Sequence, residues 1–279
     1  MAHLLPYLRE FLTPSSLDEA RVMLEKAPET TMILGGGVSL GMIPRKRLTH
    51  VVSITNLNLD YIEFHGDELR IGAATTLSSL HNTIASKKRP DLRTIQEAVS
   101  ATATTPLRNR ITVGGVIAGI GPWADLPVAF LTYDTSVIID GTREVSFETI
   151  MEYGPRKSIG QRSILTEIRI NIPEQSLGTF MKVGRNATDL AISSVAVCRR
   201  RNDDTIIATV GGIVPRPVRL FRKTMDEIGR SFDNGRNFEF KNLVTSLDLR
   251  RDYRAPDDYR IHLTERLLKD GLEYVLNEE

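Results

Sequence analysis

Two short runs of glycine are the residues in this sequence whose type and spacing could bind a ligand. The glycines at 35–37 follow the apolar run 30–34, and Gly114 and Gly115 follow a second strand-like run. Because glycine has no Cβ atom, backbone N–H groups in such loops can approach an anionic pyrophosphate closely and surround it with dipoles. Physical reasoning alone leaves two interpretations open, a phosphate-bearing cofactor held by both loops or a pair of ordinary turns.

Gly37, Ser39 and Gly41 also match the GxSxG pattern, in which a nucleophilic serine occupies the sharp turn after a strand. The context disagrees, because Pro44 and the basic run 45–47 follow where a helix should continue. The loop does not match a P-loop either, since Met42 stands where the phosphate-binding lysine belongs. A serine hydrolase therefore remains only the least favoured alternative.

A second glycine pattern, GxGxxA, is formed by Gly119, Gly121 and Ala124. Asp140 ends a later strand, where a dinucleotide-binding fold would place its ribose acid. Prolines at 122 and 127 would interrupt the phosphate turn and the helix that should follow it. We therefore do not interpret this pattern as a dinucleotide-binding site.

The composition excludes several classes of protein. Hydrophobic residues at 41% and charged residues at 25% are typical of a globular chain. The 36 basic and 35 acidic residues almost cancel, so no overall field attracts nucleic acid. The single cysteine, Cys198, cannot hold an iron-sulfur cluster alone, and the five histidines lack metal-binding spacing. Without a basic N-terminal signal or an apolar run of ~18 residues, we expect a cytoplasmic protein with no membrane span.

Hydrophobic periodicity predicts an ordered series of helices and strands. Thr76 or Ser78 is predicted to cap one of the helices, and Pro28 to end the first one. The turn residues 202–204 predict a β-hairpin. The predicted helices lie near 17–28, 76–85, 92–102, 125–131 and 259–276, and the predicted strands near 30–34, 51–55, 69–71, 137–139, 164–173, 193–201 and 205–214.

Longer segments, taken in order, resemble one family of proteins. In the first half these are LGGGVSL (34–40), VVSITNLNLDYIE (51–63), LRIGAATTL (69–77), RNRITVGGVIA (108–118), WADLPVAFLTYDTSVII (123–139) and ILTEIRI (164–170). In the second half they are FMKVGRNATDLAISSVAVC (180–198), TVGGIVPRPVR (209–219) and the tripeptide at 258–260. Together they resemble the FAD-binding medium subunits of molybdenum hydroxylases, the family of xanthine dehydrogenase and carbon monoxide dehydrogenase.

The resemblance implies an α+β fold with two domains. Residues 1–174 would form a FAD-binding domain of the p-cresol methylhydroxylase and vanillyl-alcohol oxidase (PCMH) type, with subdomains of about 1–55 and 56–174. Residues 175–279 would form a smaller α+β C-terminal cap of the carbon monoxide dehydrogenase flavoprotein type, with an antiparallel sheet. The polar, glycine-bearing stretch 174–178 is where we expect the boundary.

The family's cofactor-binding positions can be carried over residue by residue, and both glycine loops would hold the FAD pyrophosphate. Beyond the loops, the resemblance implies an acid after the second loop, an apolar residue near the flavin and two residues at the start of the cap. The implied cofactor-binding residues are Ile33, Leu34, Gly35, Gly36, Gly37, Val38, Ser39, Thr112, Val113, Gly114, Gly115, Val116, Asp125, Ile164, Phe180 and Lys182.

Three of these positions depart from the family pattern. Gly37 and Val38 stand where relatives read GGT or GGQ followed by Asp or Ser, and Val116 stands where the TIGGN pattern has Asn. Each change removes a polar contact worth ~0.5 to 1.5 kcal/mol. Losing two or three such contacts would weaken FAD binding by roughly ten- to a thousandfold without removing the backbone cradle.

The resemblance implies an oxidoreductase subunit with FAD as its cofactor. The FAD would take electrons from iron-sulfur clusters of a partner subunit and pass them to NAD or another acceptor. Substrate oxidation would occur on a molybdopterin subunit, and the three chains would form a heterotrimer. No side chain is expected to act as a catalytic acid or base, and no metal ligand is expected in this chain. The alternatives are an assembly subunit that keeps the fold with weak or lost FAD binding, and the serine hydrolase.

Overall fold

The chain folds into two units, each assembled from several stretches of sequence. The computed structural model describes residues 7–26, 29–39, 48–224 and 240–277. The first unit comprises Met1–Leu80, Thr104–Gly119 and Thr135–Ile170, and the second comprises His81–Ala103, Ile120–Asp134 and Asn171–Glu279. The units alternate along the chain, whereas the predicted domains are continuous. The boundary at residue 174 therefore stays a prediction.

Helices and strands occur in both units, so the fold is α+β, as predicted. The helices are α1 (Leu17–Lys26), α2 (Leu77–Lys87), α3 (Arg93–Ala101), α4 (Thr105–Arg108), α5 (Val113–Ala118), α6 (Asp125–Phe130), α7 (Phe147–Tyr153), α8 (Pro155–Ser158), α9 (Phe240–Thr245) and α10 (Asp257–Asn277). The strands are β1 (Glu10–Leu12), β2 (Thr31–Leu34), β3 (His50–Ser53), β4 (Ile62–His65), β5 (Glu68–Gly72), β6 (Asp134–Ile139), β7 (Arg143–Ser146), β8 (Leu165–Asn171), β9 (Leu177–Val183), β10 (Ser193–Arg200), β11 (Thr205–Gly211) and β12 (Val218–Thr224). In the described ranges, none of these helices is long and apolar enough to cross a lipid bilayer.

The first unit contains two sheets. Strand β3 lies between β1 and β2 in a parallel three-stranded sheet, and the second sheet has the order β4-β5-β8-β6-β7. Val51 and Val52 of β3 are buried, as expected for a central strand. The three-stranded sheet matters for function because its strand β2 leads directly into the first glycine run.

The second unit is an antiparallel sheet, in the order β12-β11-β10-β9, that packs against helices. The predicted hairpin is confirmed, since β10 and β11 pair across the turn at 201–204. Val195 and Val197 of β10 belong to one core with Leu268 and Leu272 of α10, which confirms the apolar face predicted for the C-terminal helix. Strand β9 pairs with β10 and carries two of the predicted cofactor residues.

Several sequence predictions need correction or fall outside the described residues. The run before Gly114 is not a strand. Gly114 and Gly115 instead lie in the first turn of α5, which Thr112 caps. Gly178 lies within β9 rather than in a linker, and a Cβ atom there would be 2.3 Å from Thr94 Oγ1. The predicted helix end at Pro28 and positions 40–47 of the serine motif and its flank lie outside the described residues.

Candidate functional site

The first glycine run continues from the end of β2. Within β2, the carbonyl of Leu34 accepts a hydrogen bond from Ile54 N at 3.0 Å. Ile33 and Leu34 are therefore strand residues rather than loop residues. Gly37 has a φ of +78°, which only glycine adopts readily. Val38 and Ser39 then have helical backbone conformation, and Ser39 is exposed.

The two glycine segments of the first unit contact each other closely. A Cβ atom on Gly36 would lie 1.3 Å from the carbonyl oxygen of Arg110, and one on Gly35 would lie 2.6 Å from Thr112 Oγ1. At position 36 only glycine fits without separating the two backbones, whereas at position 35 the obstacle is a side-chain hydroxyl. The structure therefore brings the first run next to the segment that leads into α5.

The N–H groups of the second segment are already used inside the first unit. Val113 N donates to Thr75 O and Gly114 N donates to Ala73 O, both at 2.9 Å. Gly115 N donates to the capping hydroxyl of Thr112 at 3.2 Å, and Val116 N donates to the carbonyl oxygen of the same residue at 3.0 Å. These amides are not available to ring a ligand, so the second segment supports the first. Gly115 itself is exposed, so it presents an open surface to a ligand.

The first run keeps its N–H groups available. Among the described residues, no acceptor takes a hydrogen bond from the backbone N–H of Gly35, Gly36 or Gly37. Adjacent amides without acceptors, followed by helical backbone, are donors that suit an anionic group. The donors of the glycine run 35–37 therefore fit a diphosphate, and cofactor contacts at both glycine segments stay predictions.

Arg110 is a charged residue of this site that sequence reasoning missed. Its Nε and Nη2 atoms donate to the carbonyl oxygen of Gly36, at 3.3 and 3.2 Å. The side chain is exposed at the rim of the glycine run. The feature of the sequence that could have identified Arg110 is its position two residues before Thr112, the residue that caps α5.

Ile164 lies in the first unit, fully buried. Its N–H donates to Asp140 Oδ1 and its carbonyl accepts from Asp140 N, both at 2.8 Å. Asp140 therefore stabilises a turn, and its φ of 53° agrees with that role.

The GxGxxA run follows helix α5 rather than a strand. Both findings agree with the interpretation that the GxGxxA pattern is not a dinucleotide-binding site.

In the second unit, Asp125 and Lys182 form a buried ion pair. Lys182 Nζ lies 2.9 Å from Asp125 Oδ2, and both side chains are 5% exposed. The ammonium also donates to the carbonyl oxygens of Ala101 and Asp189. Burial raises the pKa of Asp125 to about 6, although the Lys182 charge and the Thr102 hydroxyl oppose that rise. The second oxygen, Oδ1, is buried and has no hydrogen-bond partner among the described residues.

Phe180 and Lys182 line a cavity of about 670 Å³ in the second unit. One face of α3 supplies much of the remaining wall, including Arg93, Glu97 and Ser100. Glu97 fixes β9 against α3, because its Oε2 accepts hydrogen bonds from Phe180 N at 2.8 Å and from the Thr179 hydroxyl at 2.9 Å. The three predicted cofactor residues of this unit, Asp125 included, are therefore close together.

The predicted site residues thus form two groups. Within the first unit, residues 33–39 and 112–116 come together. Within the second unit, Asp125, Phe180 and Lys182 come together. Val38 and Val116, two of the departures from the family pattern, are both partly buried.

Comparisons with known proteins identify the family of the chain. Residues 8–174 match the family described as the FAD binding domain in molybdopterin dehydrogenase. The chain is 24% identical over 261 residues to the glyceraldehyde dehydrogenase medium chain of Sulfolobus acidocaldarius, covering 90% of this chain and 92% of that protein. It is also 24% identical over 287 residues to the carbon monoxide dehydrogenase medium chain of Hydrogenophaga pseudoflava, covering 96% and 97%.

Solved structures share the fold. A carbon monoxide dehydrogenase from Hydrogenophaga pseudoflava matches with a TM-score of 0.81 at 21% identity, covering 96% of this chain and 97% of that one. Quinoline 2-oxidoreductase from Pseudomonas putida 86 matches with a TM-score of 0.79 at 22% identity, covering 97% and 98%. None of these relatives supports a serine hydrolase. The chain belongs to the family of FAD-binding medium subunits of molybdenum hydroxylases, and it is the flavin-binding component of an oxidoreductase of that kind.

Proposed function

We propose that the chain is an electron-transfer subunit that takes electrons from iron-sulfur clusters of a partner subunit and passes them to NAD or another acceptor. The observation that carries the proposal is the glycine run 35–37, whose N–H groups have no acceptor among the described residues and suit the FAD diphosphate. When bound, FAD supplies a redox centre that accepts and releases electrons singly or in pairs.

The chain's own residues would bind and orient the cofactor rather than exchange protons with it. The N–H groups of Gly35, Gly36 and Gly37 would donate to the diphosphate oxygens. Thr112 and the backbone of Arg110 would hold the first run in place. Contacts of FAD with Ile164 and with the Asp125, Phe180 and Lys182 group stay predictions from the resemblance.

The partners are proposed from the relatives and from the chain's own chemistry. Cys198, the single cysteine, is buried, and burial raises the pKa of its thiol to about 12, so it is a poor cluster ligand. Among the described residues no group of three or more His, Cys, Asp or Glu side chains could hold a metal ion. We therefore assign the iron-sulfur clusters and the molybdopterin to two partner chains in a heterotrimer, with substrate oxidation on the molybdopterin chain.

A second candidate is an assembly subunit with weak or lost FAD binding. The observation that favours it is the apolar character of Val38 and Val116, which line the two glycine segments where relatives carry polar side chains. A folded protein that binds no FAD would favour this candidate, and tight, saturable binding would exclude it.

The proposal and the hydrolase alternative predict opposite rankings for two variants. Gly115 is the third residue of α5, where an acidic side chain favours the helix. A Cβ atom there would lie 2.8 Å from Thr112 Oγ1, a side-chain atom that can shift, so Gly115→Asp should fold. The added carboxylate would lie beside the diphosphate, and we expect FAD affinity to fall at least ~100-fold. Ser39→Ala removes at most one hydroxyl hydrogen bond, so FAD affinity should fall about tenfold or less.

The measurement is a titration of FAD into both purified variants, with circular dichroism to verify folding. Gly115→Ala is the matched control, because it adds the Cβ atom without the charge. A hydrolase would instead lose all ester turnover with Ser39→Ala, since no other nucleophile would be available. Wild-type FAD affinity in Gly115→Asp would show that the segment 112–116 is not at the cofactor.

A further inference from the structure

We infer that Arg110 is the cation that neutralises the FAD diphosphate in this chain. The inference rests on the proposed function and assigns a charge to a cradle that otherwise consists of backbone. Its guanidinium is bonded to the carbonyl of Gly36, through Nε at 3.3 Å and Nη2 at 3.2 Å. The same Nη2 lies 3.9 Å from the point where a Cβ atom of Gly37 would be. The charge is therefore located on the run that has the available N–H groups.

The backbone of Arg110 fixes the position of its side chain. Its carbonyl oxygen fills the space that a Cβ atom of Gly36 would need, at 1.3 Å from that position. Its backbone N–H donates to Leu107 O at 2.9 Å. The backbone of residue 110 thus packs against Gly36 and is fixed in its own turn by Leu107, and the guanidinium can reach a ligand there without a rearrangement of the loop.

The guanidinium has unused binding capacity. In the described parts of the chain no carboxylate pairs with Arg110, and its two hydrogen bonds go to one neutral carbonyl oxygen. A guanidinium has five N–H donors in a fork that matches phosphate oxygens. Two arginines of the first unit differ from Arg110 in this respect, since Arg70 pairs with Glu68 and Arg169 pairs with Glu167.

The positions at which this sequence departs from the family pattern explain why the Arg110 charge would be needed. Gly37, Val38 and Val116 provide no polar side-chain atoms to a ligand. Only uncharged donors, the N–H groups and the Ser39 hydroxyl, would then face a doubly charged diphosphate. A cation at the rim supplies the missing attraction, and because it is exposed, that attraction must weaken as salt is added.

The test is a FAD titration of wild-type protein, Arg110→Gln, Arg110→Lys and the control Arg70→Gln, at KCl concentrations from about 0.05 M to about 0.5 M. At low salt we expect Arg110→Gln to raise the Kd for FAD by about ten- to a hundredfold, as for loss of a charged hydrogen bond. Arg110→Lys should retain part of the affinity, because it keeps the charge but not the fork. Arg70→Gln should bind like the wild type.

The salt dependence separates a charge contact from a structural role. In Arg110→Gln the rise of Kd with KCl should be shallower than in the wild type, whereas a merely distorted loop would leave that dependence unchanged. Wild-type affinity in Arg110→Gln, or an unchanged salt dependence, would overturn the inference while leaving the proposed function intact. If the Gln variant does not fold, a Lys variant that binds FAD like the wild type with the same salt dependence supports the role of the charge, and one that loses all FAD binding contradicts it. Failure of the wild type itself to bind FAD would refute the proposed function and the inference with it.

Discussion

Replacing Gly36 with alanine is expected to abolish FAD binding and to destabilise the first unit. The new Cβ atom would lie 1.3 Å from the carbonyl oxygen of Arg110, a backbone atom that cannot rotate away. The two segments would have to separate, which would also displace the N–H groups of the glycine run. Overpacking of this kind costs ~1 to 3 kcal/mol, and we expect the upper end of that range.

Two other glycine variants serve as comparisons for Gly36→Ala. Gly35→Ala should be milder, because its obstacle is the Thr112 hydroxyl, a side-chain atom 2.6 Å away. Gly66 has a φ of +61° and open space around it, so Gly66→Asn should leave FAD affinity unchanged. FAD titration and thermal unfolding followed by circular dichroism would rank the three variants. Normal FAD binding by Gly36→Ala would disprove the close contact between the two segments.

Replacing Lys182 with methionine is expected to destabilise the second unit by ~3 to 5 kcal/mol at neutral pH. The ammonium is the cation paired with Asp125, and both side chains are 5% exposed. Its removal would leave a buried carboxylate whose Oδ1 already has no partner among the described residues. The double variant Asp125→Asn with Lys182→Met should recover much of the loss, since no buried charge then remains.

The pH dependence follows from the same pair. Burial raises the pKa of Asp125 to about 6 from its ordinary value of 3.8. Between these values the folded protein binds more protons than the unfolded chain, so this group's contribution to stability falls as the pH rises through that window. In Lys182→Met the pKa of Asp125 should rise further, because the lost Lys182 charge is one of the causes that lower it. The penalty should therefore shrink as the pH falls and Asp125 becomes neutral.

Urea denaturation at pH 7.5 and pH 5 measures both effects. Trp123, the single tryptophan, lies in the second unit and reports its unfolding by fluorescence. Lys269→Met is the control, because Lys269 is an exposed member of a surface pair with Glu273 and should cost less than ~1 kcal/mol. Equal costs for the two lysine variants would contradict the assignment of a buried, essential ion pair.

Local signals in the sequence predicted much of the fold. Thr76 was one of two candidate caps for α2, and the structure shows its hydroxyl accepting from Ser79 N at 3.1 Å. The hairpin at 201–204 and the amphipathic helix α10 were also predicted, because turn residues and apolar periodicity determine them over short distances. The glycine run after β2 belongs to the same class of local signal.

The features that sequence reasoning missed depend on contacts between distant residues. The pair Gly114 and Gly115 reads as a loop, but Thr112 caps a helix there and Ala73 occupies the space beside Gly114. Arg200, next to the predicted hairpin turn, is 6% exposed and pairs with Asp134. Neither partner, Ala73 or Asp134, lies near its contact in sequence.

The candidate site was also only partly predictable, because its contacts join residues that are distant in sequence. Glycine spacing pointed to both segments, but only the structure shows which one retains available N–H groups. Arg110 joined the site because its guanidinium contacts a residue 74 positions earlier in the chain. The sequence pattern alone does not distinguish Arg110 from the other basic residues.

The most direct test of the central claim is a titration of FAD into the purified full-length chain, followed through the visible absorption and fluorescence of the flavin. We predict saturable binding of one FAD per chain, weakened by Gly115→Asp far more than by Gly115→Ala. A folded chain that fails to bind FAD at any accessible concentration would contradict the account.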